Sequence, residues 1–176
     1  MKCVRERDGC GTRSQVCNAG VCMTGRLEHC SVQDYKDQMD VNYFGAVQMT
    51  KAFLPALKLS GRQDRKPALV FVSRNGGQGQ GAVGQSPTAA APVTQVNSFG
   101  GRLALANMSA YTASKFALAG FADSIRGELA QDGIHVAQVQ PGVIKSNFME
   151  RAQWRGPGGD SGRKNLETAF SSNLPG

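Results

Sequence analysis

Several familiar kinds of site are missing from this chain. Its five cysteines, at positions 3, 10, 17, 22 and 30, include no C-x-x-C pair, so the spacing expected of a zinc site is absent. Their odd number, and the lack of a secretory apolar segment, argue against an extracellular disulfide framework. The thiols read as free, in a reducing, cytoplasmic compartment. No run approaches the roughly 18 apolar residues that a membrane span requires. The net charge is +7, from 20 basic and 13 acidic residues. That charge is scattered, however, over Lys2, Arg5, Arg7, Arg62, Arg65, Lys66, Arg151, Arg155, Arg163 and Lys164. A nucleic-acid interface needs a clustered basic face with interleaved aromatics, and none is present, so nucleic acid is excluded as a partner.

What remains is enough for one domain. The chain has 176 residues, of which 40% are hydrophobic and 19% charged, with 22 glycines and 7 prolines gathered in clusters. Residues 1–15, MKCVRERDGCGTRSQ, show no periodicity and are expected to be irregular. After a glycine-punctuated stretch, Ser31 can cap a helix, with Asp34 three residues on as the reciprocal partner. Val32, Tyr35, Met39, Val47, Thr50, Phe53, Leu54 and Leu57 then recur at near-helical spacing, and Gly45 and Pro55 predict a kink or break. PALVFV, 67–72, reads as a buried strand, and VTQVN, 93–97, as a weaker one. Between them NGGQGQGAVGQSPTAAAP, 75–92, has little to bury and is expected to be an insertion. A long helix is predicted from Ser109, its plausible cap, to about Gln131, with Gly133 at its end. IHVAQVQ, 134–140, follows as a strand with apolar residues on both faces. Strand, long helix, strand of this kind predicts an α/β domain with a parallel sheet, over about residues 16–154. Residues 155–176 are glycine-rich and polar and are expected to form a disordered tail.

The chemistry is concentrated in SAYTASK, residues 109–115. At about 100° per residue, Tyr111, Lys115, Leu118, Ala122, Ile125 and Leu129 share one helical stripe. The last four are core residues, so the phenol and the ammonium extend the buried face. A packing tyrosine beside a surface lysine would give the same pattern. The chemical reading of the pair is that a cationic lysine favours the phenolate. Such a phenol can exchange a proton with an alcohol or alkoxide near neutral pH. Hydride, by contrast, has to come from a cofactor, because no side chain supplies it.

Tyr111 and Lys115 resemble the Y-x-x-x-K motif of the short-chain dehydrogenase/reductase family, and four further stretches resemble that family in its order. Asn18-Ala19-Gly20 is similar to its N-A-G turn, and Asp40-Val41-Asn42-Tyr43-Phe44-Gly45 to the helix bearing its active-site asparagine. Ser98 lies 13 residues before Tyr111, as the family's serine does. Pro141-Gly142-Val143-Ile144-Lys145-Ser146 is similar to its P-G motif. The resemblance implies Tyr111 as general acid–base, Lys115 as its electrostatic partner and ribose ligand, Ser98 as the group orienting the substrate oxygen, and Asn42 as the holder of a relay water. It further implies Asn18 and Gly20 on the adenosine side of the cofactor, with Pro141, Gly142, Val143 and Ser146 beside the nicotinamide. The cofactor implied is NAD or NADP, NADP being slightly preferred, and the substrate a small-molecule alcohol or carbonyl.

Two departures from the family pattern shape the expectation. The family's T-G-x-x-x-G-x-G loop, whose backbone amides meet the pyrophosphate, has no counterpart in the sequence. The fold expected is therefore a partial Rossmann-like, doubly wound parallel sheet without its leading strands. The insertion is the second departure, and it leaves two serines to choose between. Ser73 follows the better strand but stands 38 residues before Tyr111. Spacing favours Ser98, which makes VTQVN the sheet strand and puts PALVFV in the insertion. SNFMERAQW, 146–154, is apolar and aromatic enough to wall a lipophilic pocket. Two functions compete: an alcohol–carbonyl oxidoreductase, and an inactive truncated fragment that associates with another chain or folds poorly. Exposed helix or strand surfaces would serve a homo-oligomer.

Overall fold

The computed structural model describes residues 2–4, 14–62, 66–72, 106–139, 151–159, 161–162, 164–165 and 168. Strands β1 (Lys2–Val4), β2 (Ser14–Cys17), β4 (Ala68–Val72) and β5 (His135–Val139) form one sheet in the order β1-β2-β4-β5. β2, β4 and β5 are parallel and β1 is antiparallel to β2. A second, two-stranded parallel sheet pairs β3 (Met23–Gly25) with β6 (Gln153–Arg155). The helices are α1 (Val32–Met39), a π-helical turn (Asp40–Phe44), α2 (Gly45–Arg62) and α3 (Ser109–Ala130). Among the described residues the fold is α/β, with a parallel sheet and packing helices but without the full strand set of a Rossmann domain.

PALVFV is not part of an insertion. Ala68–Val72 lies in the middle of the main sheet, in register with both β2 and β5. The physical reason lies in its composition: Leu69 and Phe71 are fully buried on one face, while Ala68, Val70 and Val72 are half-buried on the other. Such a two-sided apolar strand belongs between parallel neighbours. VTQVN falls outside the described residues, as does the insertion at 75–92.

Some of the described residues within the stretches 1–15 and 155–176 carry regular structure. Lys2–Val4 is a strand, and β2 begins at Ser14. Beyond Trp154, β6 continues to Arg155, and positions 159, 161–162, 164–165 and 168 are helical.

The main core lies between the sheet and α2 and α3. Cys17, Leu57, Leu69, Phe71, Leu118, Ala122, Ile125, Leu129, Ile134 and Val136 form one buried cluster. Phe121 joins it edge-on to Phe71 and to Tyr43. Pro55 sits within α2 without ending it, and Gly45 follows the π turn rather than a break. That turn closes with the Gly45 amide donating to the Asp40 carbonyl, one residue more than an α turn spans.

Helix ends follow capping chemistry. Ser31 and Asp34 form a reciprocal box, with the Asp34 amide donating to Ser31 Oγ at 3.2 Å and the Ser31 amide to Asp34 Oδ2 at 2.8 Å. At the far end of α3, Gly133 has φ +69° and its amide donates to the Ala130 carbonyl, while the Ile134 amide donates to the Leu129 carbonyl. This pair of bonds around a left-handed glycine is the Schellman arrangement, and Ile134 packs in the same cluster as Leu129. Gly61 meets this corner backbone to backbone, and a Cβ there would run into the Asp132 carbonyl. Ser109 does not cap α3. Met108 precedes the helix, and Ser109 Oγ is hydrogen-bonded to the Tyr35 hydroxyl of α1.

Candidate active site

α3 begins beside the carboxyl ends of β2 and β4, the edge at which open α/β sheets bind ligands. Tyr111 and Lys115, one helical turn apart, are 2% and 5% exposed. They extend the core stripe inward and do not form a solvent-facing pair. Lys115 Nζ lies 5.7 Å from the centre of the Tyr111 ring and 3.5 Å from the carbonyl of Val72, the last residue of β4. Around the Tyr111 ring, Cys22, Met108 and Ala152 close a second apolar cluster, separate from the main core.

Asn42 is buried inside the π turn. Its Oδ1 accepts from the Val21 amide at 2.8 Å, and its Nδ2 donates to the Val21 carbonyl at 3.0 Å and to Ser114 Oγ at 2.9 Å. Ser114 Oγ in turn donates to the Tyr111 carbonyl at 2.7 Å. A polar thread therefore runs from the segment after Asn18-Ala19-Gly20, through Asn42 and Ser114, to the Tyr111 backbone. Sequence reasoning missed Ser114, because a serine inside a helix that carries so clear an apolar stripe gives no signal of its own. The signal that exists is its place directly before Lys115.

Gly20 opens toward the pair. A Cβ on it would stand 3.4 Å from Asn42 Oδ1 and 3.5 Å from Lys115 Nζ, so the bare backbone leaves room beside the ammonium. This cradle fits a nicotinamide cofactor, because a buried ammonium beside an open glycine backbone suits a ribose hydroxyl. Asn42 also lines a mainly apolar cavity of about 150 Å³, with Cys17, Ala19, Val41, Gly45, Met49 and Leu118 among others. Asn18 is exposed at the end of β2. Tyr111, Lys115, Asn42 and Gly20 are thus brought together. Ser98, Pro141, Gly142, Val143 and Ser146 lie outside the described residues.

Other ionisable groups nearby serve the scaffold. Burial pushes the Cys17 thiol up to about 11, partly offset by its hydrogen bond with Thr50, so it stays protonated at neutral pH. The hydrogen bond from Arg155 holds Asp34 below the usual carboxylate value, with help from Ser31. Arg155 Nε reaches Asp34 Oδ1 at 2.9 Å and so ties β6 to the start of α1. Among the described residues, no group of three His, Cys, Asp or Glu side chains could hold a metal ion. No helix among them is long and apolar enough to cross a membrane.

The fold and this constellation define an α/β protein of the Rossmann class with a buried phenol–ammonium pair at its ligand edge. The family model for short chain dehydrogenases matches residues 15–91 and 88–155, and the chain belongs to that family. It is similar to human dehydrogenase/reductase SDR family member 9, with 31% identity over 134 residues, 76% of this chain and 33% of that protein. Bovine dehydrogenase/reductase SDR family member 7B is 32% identical over 131 residues, 74% of this chain and 32% of the relative. The chain thus spans about a third of the length of these curated relatives. Among solved structures, a short-chain dehydrogenase from Streptomyces avermitilis superposes with a TM-score of 0.62 at 25% identity, covering 94% of this chain and 52% of that one. A 3-ketoacyl-(acyl-carrier-protein) reductase from Brucella melitensis, complexed with NADH, gives a TM-score of 0.62 at 18% identity, covering 81% of this chain and 49% of that one. At 18% identity this second likeness speaks for the fold alone.

Proposed function

We propose that this chain carries the acid–base centre of an oxidoreductase that interconverts an alcohol and a carbonyl, with NAD or NADP. The observation that carries the reading is the buried Tyr111–Lys115 pair, threaded through Ser114 to Asn42 beside the open backbone of Gly20. When bound, the nicotinamide would give or accept the hydride. Lys115, with Asn18 and Gly20, would hold its ribose and adenosine portions, and Pro141, Gly142, Val143 and Ser146 would flank the nicotinamide. Tyr111 takes the proton from the alcohol or returns it to the alkoxide, and the Lys115 ammonium favours the phenolate that does so. Ser98 orients the substrate oxygen. Asn42 holds the segment over Lys115 in place. Cys22, Met108 and Ala152 present an apolar surface to the phenol, which suits a lipophilic substrate.

Titration of the chain with NADH and with NADPH, followed by nicotinamide fluorescence, tests this reading. Saturable binding of either, reduced by Lys115→Met, is expected. Absence of saturable binding by both would overturn it.

A further inference from the structure

Gln38 escaped the sequence reading, because it lies among polar residues in a helix that presents little apolar surface. In the structure it is fully buried, at 0% exposure, and is the one buried residue of α1. Its side-chain amide is used at both ends. Oε1 accepts from the Met23 amide at 2.8 Å, and Nε2 donates to the Val21 carbonyl at 3.0 Å. Asn42, four residues on, accepts from the Val21 amide and donates to that same Val21 carbonyl. The two side chains together meet the backbone of Val21 and Met23 as a neighbouring strand would. Between those two residues stands Cys22, whose side chain packs in the Tyr111 cluster. The constraint continues along β3, where the Gly25 amide donates to the carbonyl of Asn107, a residue at φ +66° just before α3 begins.

We propose that Gln38 is a positioning residue for Tyr111. With Asn42 it locks the Val21–Met23 backbone, so that Cys22 and the entry to α3 hold the phenol in a single orientation. A buried amide serving two backbone groups of a connecting segment is costly to replace, because removing it strands a buried donor. A shift of about 1 Å at a reacting group can lower turnover on the order of 100-fold. The two hydrogen bonds of the Gln38 amide run to the Val21–Met23 backbone, so its effect passes through the segment that it holds. The kinetic part of this proposal rests on the oxidoreductase reading above, but the clamp itself does not.

The test uses the full chain and the near-isosteric Gln38→Met, which keeps the volume and loses both hydrogen bonds. Pulsed alkylation read by mass spectrometry follows each cysteine separately. Cys22 reports on the clamped segment, and Cys17, in the main core, reports on the fold as a whole. The expected result is at least a tenfold faster labelling of Cys22 at an unchanged Cys17 rate. Equal Cys22 rates in the two proteins would overturn the clamp. If Gln38→Met exposes Cys17 as well, Gln38→Glu decides, because it keeps the acceptor for Met23 and leaves Val21 bonded to Asn42. Cys22 protection between that of the wild type and of Gln38→Met is then expected, and protection no better than that of Gln38→Met overturns the proposal. In turnover assays kcat should fall about tenfold, with the cofactor KM within about twofold, the signature of lost positioning rather than lost binding. A raised cofactor KM at unchanged kcat overturns the link to Tyr111. A wild type without turnover removes the oxidoreductase reading, and the labelling experiment still decides the clamp.

Discussion

The two buried clusters of this molecule are held together by different means. The larger one, between the sheet and helices α2 and α3, is made almost wholly of aliphatic and aromatic side chains such as Leu57, Leu69, Phe71, Leu118 and Leu129. The smaller one, around Tyr111, has Cys22, Met108 and Ala152 for apolar company among the described residues. Its geometry comes from polar ties instead: Asn42 and Gln38 to the Val21–Met23 backbone, Ser114 to Tyr111, Arg155 to Asp34. Burial is strong and nondirectional, whereas hydrogen bonds contribute about 1 kcal/mol each but fix angles and distances. A scaffold needs the first property and a reactive centre the second.

The largest effect on this contrast is expected from Phe71→Ala in the scaffold cluster. Truncating a fully buried phenylalanine of a central strand should cost about 3–5 kcal/mol, read from urea unfolding. Tyr111→Phe should do the reverse, leaving the unfolding midpoint nearly unchanged while turnover falls by about 10²–10⁴-fold. If Tyr111→Phe destabilised as much as Phe71→Ala, the division of labour between the clusters would be wrong. Ser114→Ala cuts the thread from Asn42 to the Tyr111 backbone and should cost about 1 kcal/mol in stability, with a several-fold loss of turnover. The first should appear in urea unfolding and the second in steady-state assays.

Two pH effects are smaller and have opposite signs. Asp34 has a folded value below its ordinary 3.8. Its contribution is therefore complete above 3.8 and is lost as the pH falls through the lower folded value. Acid unfolding followed by circular dichroism should show this step, and Asp34→Asn should remove it. Cys17 behaves in the opposite sense, because its folded value of about 11 exceeds the ordinary 9.0. Stability should decline as the pH rises from 9.0 toward 11, and Cys17→Ser should flatten that decline.

Much of the helical structure that carries the site was legible because its signals are local and mutually consistent. The stripe from Tyr111 to Leu129, the Ser31–Asp34 box and the glycine at 133 each name their structure without reference to the rest of the chain. The strand order was not legible in the same way. PALVFV and VTQVN compete for one place in the sheet, and serine spacing is a weaker argument than the ability of Leu69 and Phe71 to fill the space beneath α3. Three-residue strands such as Lys2–Val4 and Gln153–Arg155 are too short to show alternation, and only their pairing partners reveal them. Gln38 and Ser114 illustrate a further limit. A polar residue that ties one backbone segment to another looks, in sequence, like any polar residue on a helix.

The π turn between α1 and α2 matters for a reason of phase. From Gln38 to Thr50 an uninterrupted α-helix, at about 100° per residue, would drift roughly 120° past three full turns. Gln38 would then face one wall of the molecule and Thr50 another. The wider turn at Asp40–Phe44 rotates less per residue and takes back much of that drift. Gln38, Asn42, Ala46 and Thr50 are consequently all buried, and they follow the chain from Cys17 at the end of β2 to Met23 at the start of β3. One slackened turn lets a single helix act as a straight rail beside a strand and the segment leaving it. Inserting one further residue into Asp40–Phe44 would thus turn the rail about 100° out of step.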